Sequence, residues 1–243
     1  MPSVLLSTCG NGAAEFVNGA KEGEVMRAIL ELTQDYLNVS SLGANVVMPT
    51  PARPGAMPFG TVASMARRQK SALVLHVCSG NYKGESRGIE LCYPIHSVAS
   101  RRFAELLAEH FKPAAPGPVK LAPLPMPEFH MAKCPVAQVR LGCRSHQEDA
   151  QWMLQSTGVI AHTLAKAVTA WFEVPCKSPF AHCEAVVASG SLALRRAPGI
   201  DAEQLCALPK GTKLLLLHRD GDWQYVEHEG VCGYVLRKYL SAK

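Results

Sequence analysis

The spacing of apolar residues changes character once along the chain, near residue 173, and a single continuous fold cannot accommodate both patterns. Before that point, β-rich runs alternate with amphipathic helical runs. Val4-Leu5-Leu6 reads as a buried strand ending in the loop Cys9-Gly10-Asn11-Gly12. From residue 22 to 37, Val25, Met26, Ile29, Leu30, Leu32, Thr33 and Tyr36 trace one helical face. Val46-Val47-Met48, residues 73–77, 88–93 and 135–141 read as further strands, the stretch at 135–141 being the last. Residues 61–69 and 97–111 read as helices, and 147–172 as one or two more. Six prolines between residues 113 and 127 predict an irregular segment. Strands alternating with helices predict an α/β layer: a twisted, mainly parallel sheet flanked by helices on both faces.

After residue 173 the runs are short and punctuated by turns. Residues 185–188, 192–194, 213–218, 223–228 and 232–236 are strand-like, with Asp220-Gly221-Asp222 and Glu229-Gly230 as hairpin signals. The expected organisation is an α/β domain over residues 1–173, a linker over 174–183 and a small β-barrel over 184–243. Hydrophobic residues make up 48% of the 243, enough for a sizeable core, so wholesale disorder is excluded. No run approaches the ~20 apolar residues of a membrane span. The net charge of +5 is scattered rather than gathered in a stripe, so no nucleic acid partner is expected. Nine cysteines at irregular spacings, with no CxxC, predict free thiols rather than a disulfide scaffold. With no signal peptide legible at the start, the expected location is the cytoplasm; a chain trimmed of its signal would belong to the cell envelope.

The second domain closely resembles the bacterial SH3 family. The matching segments are Leu192-Ala-Leu194-Arg195-Arg196-Ala-Pro198, Leu208-Pro-Lys210-Gly211-Thr212, Asp220-Gly221-Asp222-Trp223 and Gly233-Tyr234-Val235, followed by Tyr239-Leu240. The resemblance implies a recognition module, often for cell-wall peptide. Trp223 and Tyr234 are candidate ligand-binding residues, with Tyr225 and Tyr239 nearby, or alternatively they fill the barrel core.

Residues 3–173 resemble the zinc-dependent N-acetylmuramoyl-L-alanine amidases. The family's first histidine ligand falls on the loop Cys9-Gly10-Asn11-Gly12, and its glutamate ligand, opening the first helix, on Glu22. Its second histidine, in an Ile-His-x-Asn strand, matches Leu75-His76-Val77-Cys78. Gly88-Ile89-Glu90 and Ser100-x-x-Phe103-Ala104 match the next strand and helix. The segment bearing the catalytic glutamate, Glu-x-Gly-Phe-x-Ser-Asn, matches Arg140-Leu141-Gly142-Cys143-Arg144-Ser145-His146.

Two of these matches work against zinc hydrolysis. Such a site needs three protein ligands, an open position for water and a carboxylate base. Asn11 stands in place of an imidazole, and Arg140 in place of the base, where a guanidinium of pKa above about 12 cannot accept a proton. Glu22 and His76 are the remnant metal ligands, and Cys9 with Cys78 could complete an altered set, since His76 and Cys78 share a face of one strand. The expected function is a peptidoglycan- or muropeptide-directed protein, catalytically impaired and holding no cofactor, with peptidoglycan or its stem peptide as partner. Two alternatives stand beside it: an active zinc amidase with an altered ligand set, and a non-enzymatic protein-interaction scaffold. For the vacated site, charge balance predicts that Arg140 pairs directly with Glu22, with Asn11 and His76 in the same cluster.

Overall fold

A computed structural model of the chain describes residues 1–8, 14–47, 59–80, 87–125, 127–180, 184–188 and 190–242. The chain divides into two units, Met1–Cys176 and Lys177–Lys243. The first contains β1 (Ser3–Ser7), α1 (Glu22–Val39), β2 (Gly43–Val47), α2 (Phe59–Arg68), β3 (Leu73–Gly80), β4 (Ile89–Pro94), α3 (Val98–Phe111), β5 (Val119–Leu124), a 3-10 turn (Pro127–Ala132), β6 (Val136–Cys143), α4 (Gln147–Gln155) and α5 (Thr157–Trp171).

Its six strands lie in the order β2-β1-β3-β6-β4-β5. All neighbours run parallel except β4 and β6, which are antiparallel. The mainly parallel, helix-flanked sheet is therefore as expected. Strand period decides which side chain serves which face. Leu73, Leu75 and Val77 of β3, Ala137, Val139 and Leu141 of β6, and Ile89 and Leu91 of β4 join the core built with α1, α3, α4 and α5. The alternate residues Val74 and Val136 join a smaller core with Val62, Ala63 and Ala66 of α2. Helix α5 is buried almost all round, fitting its place against both α1 and α3.

Residues 113–127 differ from expectation. Val119–Leu124 forms β5, paired in parallel with β4 at the sheet edge. Pro123 sits inside it, and proline is tolerated there because an edge strand has one side without a ladder partner. The other correction is small: Ser97 is the cap of α3 rather than its first residue, its side chain accepting from Ser100 N at 3.3 Å.

The second unit is one antiparallel sheet ordered β13-β7-β10-β11-β12-β8-β9. Its strands are β7 (Glu184–Val187), β8 (Ser191–Arg195), β9 (Gln204–Pro209), β10 (Lys213–Asp220), β11 (Trp223–His228), β12 (Val231–Leu236) and β13 (Leu240–Ala242). Val187 of β7 and Leu208 of β9, near opposite ends of that order, share one core with Leu194, Leu214, Val226 and Val235. A flat sheet would hold them several ~4.8 Å spacings apart, so the sheet curls into a small barrel. No described helix is long and apolar enough to cross a membrane.

Val174 and Cys176 pack against the first unit's core. A chain ending at Cys176 is therefore expected to unfold cooperatively on its own. Thermal unfolding by circular dichroism checks this; a broad, non-cooperative melt would refute it.

Candidate functional site

Helix α1 opens with Glu22 and Glu24, placing two carboxylates at its positive end. Glu22 is 2% exposed. Its Oε1 accepts from Ser79 N at 3.1 Å and from Ser79 Oγ at 2.5 Å, and its Oε2 lies 3.6 Å from Arg144 Nη1. Arg144 is fixed through its backbone: its N–H donates to Gly80 O at 3.0 Å, and its carbonyl accepts from Val17 N at 3.0 Å.

Arg140 does not pair with Glu22. Its Nη1 donates to Glu90 Oε2 at 2.5 Å, in a half-buried ion pair between residues directly opposite in the antiparallel β4–β6 register. Strand parity explains the exchange. Arg140 follows Val136 and Gln138 on the α2 face, whereas Glu22 starts a helix that covers the other face.

The same parity removes His76 from Glu22. His76 is buried with its Nδ1 2.8 Å from Ser7 Oγ and the Phe59 ring of α2 edge-on at 5.2 Å. Cys78 shares that face, as the sequence predicts, and accepts from Gln138 Nε2 at 3.3 Å. Ser79, on the opposite face, is what meets Glu22. The signal was present in the sequence: Ser79-Gly80-Asn81 preserves the His-x-Asn spacing three residues further on, with serine in place of histidine. Cys9 and Asn11 lie outside the described residues.

Two more groups escape a reading of the sequence. Cys92, beside the Arg140–Glu90 pair, has its thiol pushed up to about 12, chiefly by burial, against the pull of Arg140. Asp149 of α4 is fully buried; its Oδ2 accepts from Cys143 N at 2.9 Å and Gly88 N at 3.2 Å, tying the end of β6 to the approach to β4. Arg87 Nε stands 3.7 Å from its Oδ1, while Arg87 Nη2 donates to Glu148 Oε2.

In the second unit Tyr234 is fully buried against Tyr225, with ring centroids 5.0 Å apart, so it fills the core and offers a ligand no surface. Trp223 is half-buried and, with Ile200, Leu236, Tyr239 and Arg195, lines a groove of about 480 Å³. The Lys238 ammonium lies 4.9 Å from the Tyr239 ring centroid.

Solved structures similar to the first unit include N-acetylmuramoyl-L-alanine amidases. The catalytic domain of CwlV, an N-acetylmuramoyl-L-alanine amidase from Bacillus (Paenibacillus) polymyxa var. colistinus, superposes with a TM-score of 0.61 at 17% identity, over 72% of this chain and 100% of that one. The first unit has the amidase fold. The N-acetylmuramyl-L-alanine amidase of Mycobacterium abscessus gives a TM-score of 0.59 at 15% identity, covering 70% of this chain and 98% of its own. The CwlD amidase of Clostridioides difficile, solved in complex with the GerS lipoprotein, gives 0.59 at 12%, covering 71% and 99%. Residues 190–241 match the family model of the bacterial SH3 domain. No curated protein matches the sequence.

The zinc that the resemblance implies finds a poor donor set on this amidase fold. Among the described residues, no group of three or more His, Cys, Asp or Glu side chains is placed to hold a metal. Around Glu22 stand a serine hydroxyl, a backbone N–H and a guanidinium, where zinc favours imidazole, thiolate and carboxylate. What these side chains can do is hold carboxylates: both Arg140 and Arg144 already do so within the chain.

Proposed function

We propose that this chain is a peptidoglycan- or muropeptide-directed protein whose amidase-fold domain holds its ligand without cleaving it. The observation that carries this reading is that guanidiniums stand where the family's chemistry calls for a base and a metal, Arg140 at the aligned position of the base and Arg144 beside Glu22. Arg140 takes the place of the base and is committed to Glu90; Arg144 stands against the one family-type ligand, Glu22. A guanidinium can neither deprotonate water nor coordinate zinc. The bacterial SH3 domain supports the same target, with Trp223 and Tyr239 presenting partly exposed aromatic surface in its groove.

Cosedimentation of the full chain with insoluble peptidoglycan tests the reading. The expected result is retention of the protein with no release of stem peptide, whether or not zinc is added. Turnover abolished by a chelator would restore the enzyme reading; failure to sediment would favour a protein-interaction scaffold.

A further inference from the structure

We infer that Arg144 is the built-in counterion of Glu22, supplying from within the chain the positive charge that the amidase fold would otherwise take from a metal. The inference concerns a position for which the resemblance offers no role, since the aligned base falls on Arg140. Its ground is the environment of Glu22. A carboxylate buried to 2% exposure cannot stay ionised without partners. Ser79 gives it two hydrogen bonds on one oxygen, and Arg144 faces the other at 3.6 Å.

The guanidinium reaches that oxygen from a fixed base. The Arg144 backbone is bonded on one side to Gly80, next after Ser79 in β3, and on the other to Val17, in the approach to α1. Among the described residues, the groups around Glu22 therefore hang from the same three segments, and the cluster is assembled by the fold itself. Helix α1 adds its own positive end, since Glu22 is its first residue. Charge then decides the consequence. Among the described residues one carboxylate is balanced by one guanidinium, and a dication placed on Glu22 would meet Arg144 as a like charge at close range. Among the described residues the site is consequently balanced in charge without a metal.

Thermal melting of the full chain, with zinc chloride as the only added probe, tests this. In EDTA, Arg144→Met, which keeps much of the stem and removes the charge, should lower the melting temperature by about 5–10 °C, while Arg144→Lys should lose much less. Zinc should move neither the wild type nor Arg144→Met, because one carboxylate and a serine hydroxyl do not make a zinc site. Arg144→Met/Glu22→Gln should regain much of the lost melting temperature, because the stranded carboxylate charge is then gone. If Arg144→Met does not fold, recovery of folding by Arg144→Met/Glu22→Gln carries the same meaning, because the stranded charge is then gone. A zinc-dependent rise in the wild type, zinc retained stoichiometrically through dialysis, or an Arg144→Met protein that melts with the wild type in EDTA would each overturn the inference. It rests on the proposed function only for the premise that the site works without metal. Failure to bind peptidoglycan with no zinc response would sink that reading and leave this one standing.

Discussion

Replacing Gly88 with alanine is expected to destabilise the first unit by about 4 kcal/mol or more, among the largest losses a single methyl group can cause. Gly88 has φ of 85°, and a Cβ there would lie 2.1 Å from Pro118 O and 2.9 Å from Pro118 N. Neither side can give way cheaply. Pro118 O already accepts from Ile89 N at 2.9 Å, and Gly88 N is held by the buried Asp149 carboxylate. The proper control is Gly19, whose φ of 83° is nearly the same but where a Cβ would meet no atom within 4 Å. Gly19→Ala carries only the left-handed backbone penalty, about 1–2 kcal/mol. Urea midpoints of the two variants measure the difference. Equal losses would mean that backbone conformation, rather than the close approach of β4 to the turn before β5, sets the requirement.

That glycine also shows what can be read in advance. Gly88-Ile89-Glu90 is legible as a family pattern, and the structure gives each residue a physical task. Gly88 lets two chain segments touch, Ile89 enters the core, and Glu90 points to the other face to meet Arg140. The long periodic segments are equally legible, because the apolar stripe of α1 and the apolar runs of β1 and β3 follow directly from burial on one or both faces. Strand β5 is hidden because proline statistics describe central strands, and its side chains, largely exposed or half-buried, leave no clean apolar alternation to read.

The candidate site is legible in its residue types but not in its pairings. Aligning motifs by spacing puts His76 and Arg140 on Glu22, whereas the pleat sends both to the α2 face. The residues that do reach Glu22 lie where β3 and β6 end. There the register slips: Cys78 pairs with Arg140 but Gly80 with Cys143, so β6 carries one residue more than its partner. A bulge of this kind redirects the chain beyond it. No count along the sequence reveals where such a residue is inserted, and so spacing alone points to Arg140 rather than Arg144.

The remaining large effect lies away from the site and depends on pH. His162 of α5 is 5% exposed, its ring tilted against Tyr36 of α1 with centroids 5.1 Å apart. Burial above all, then the positive charge of Lys166 on the same helix and the neighbouring His110 of α3, lowers its pKa from 6.5 to about 3. The unfolded chain therefore takes up a proton near 6.5 that the folded chain refuses until about 3. Stability from this group is complete above the unfolded value and falls as the pH drops through the window, by up to about 1.4 kcal/mol per unit. Replacing His162 with glutamine removes the titrating ring. The variant should be less stable at neutral pH, where packing is lost, yet its unfolding free energy should fall less steeply between about pH 6 and 4. His110 is also lowered, first by burial and then by Lys166, but it is less enclosed, so His110→Gln should flatten the profile less. Urea titrations across that range decide the point, because the carboxylates that titrate in acid are common to all three proteins and cancel in the comparison. A His162→Gln slope equal to that of the wild type would mean that the folded core admits the proton, through an opening of α5 from α1.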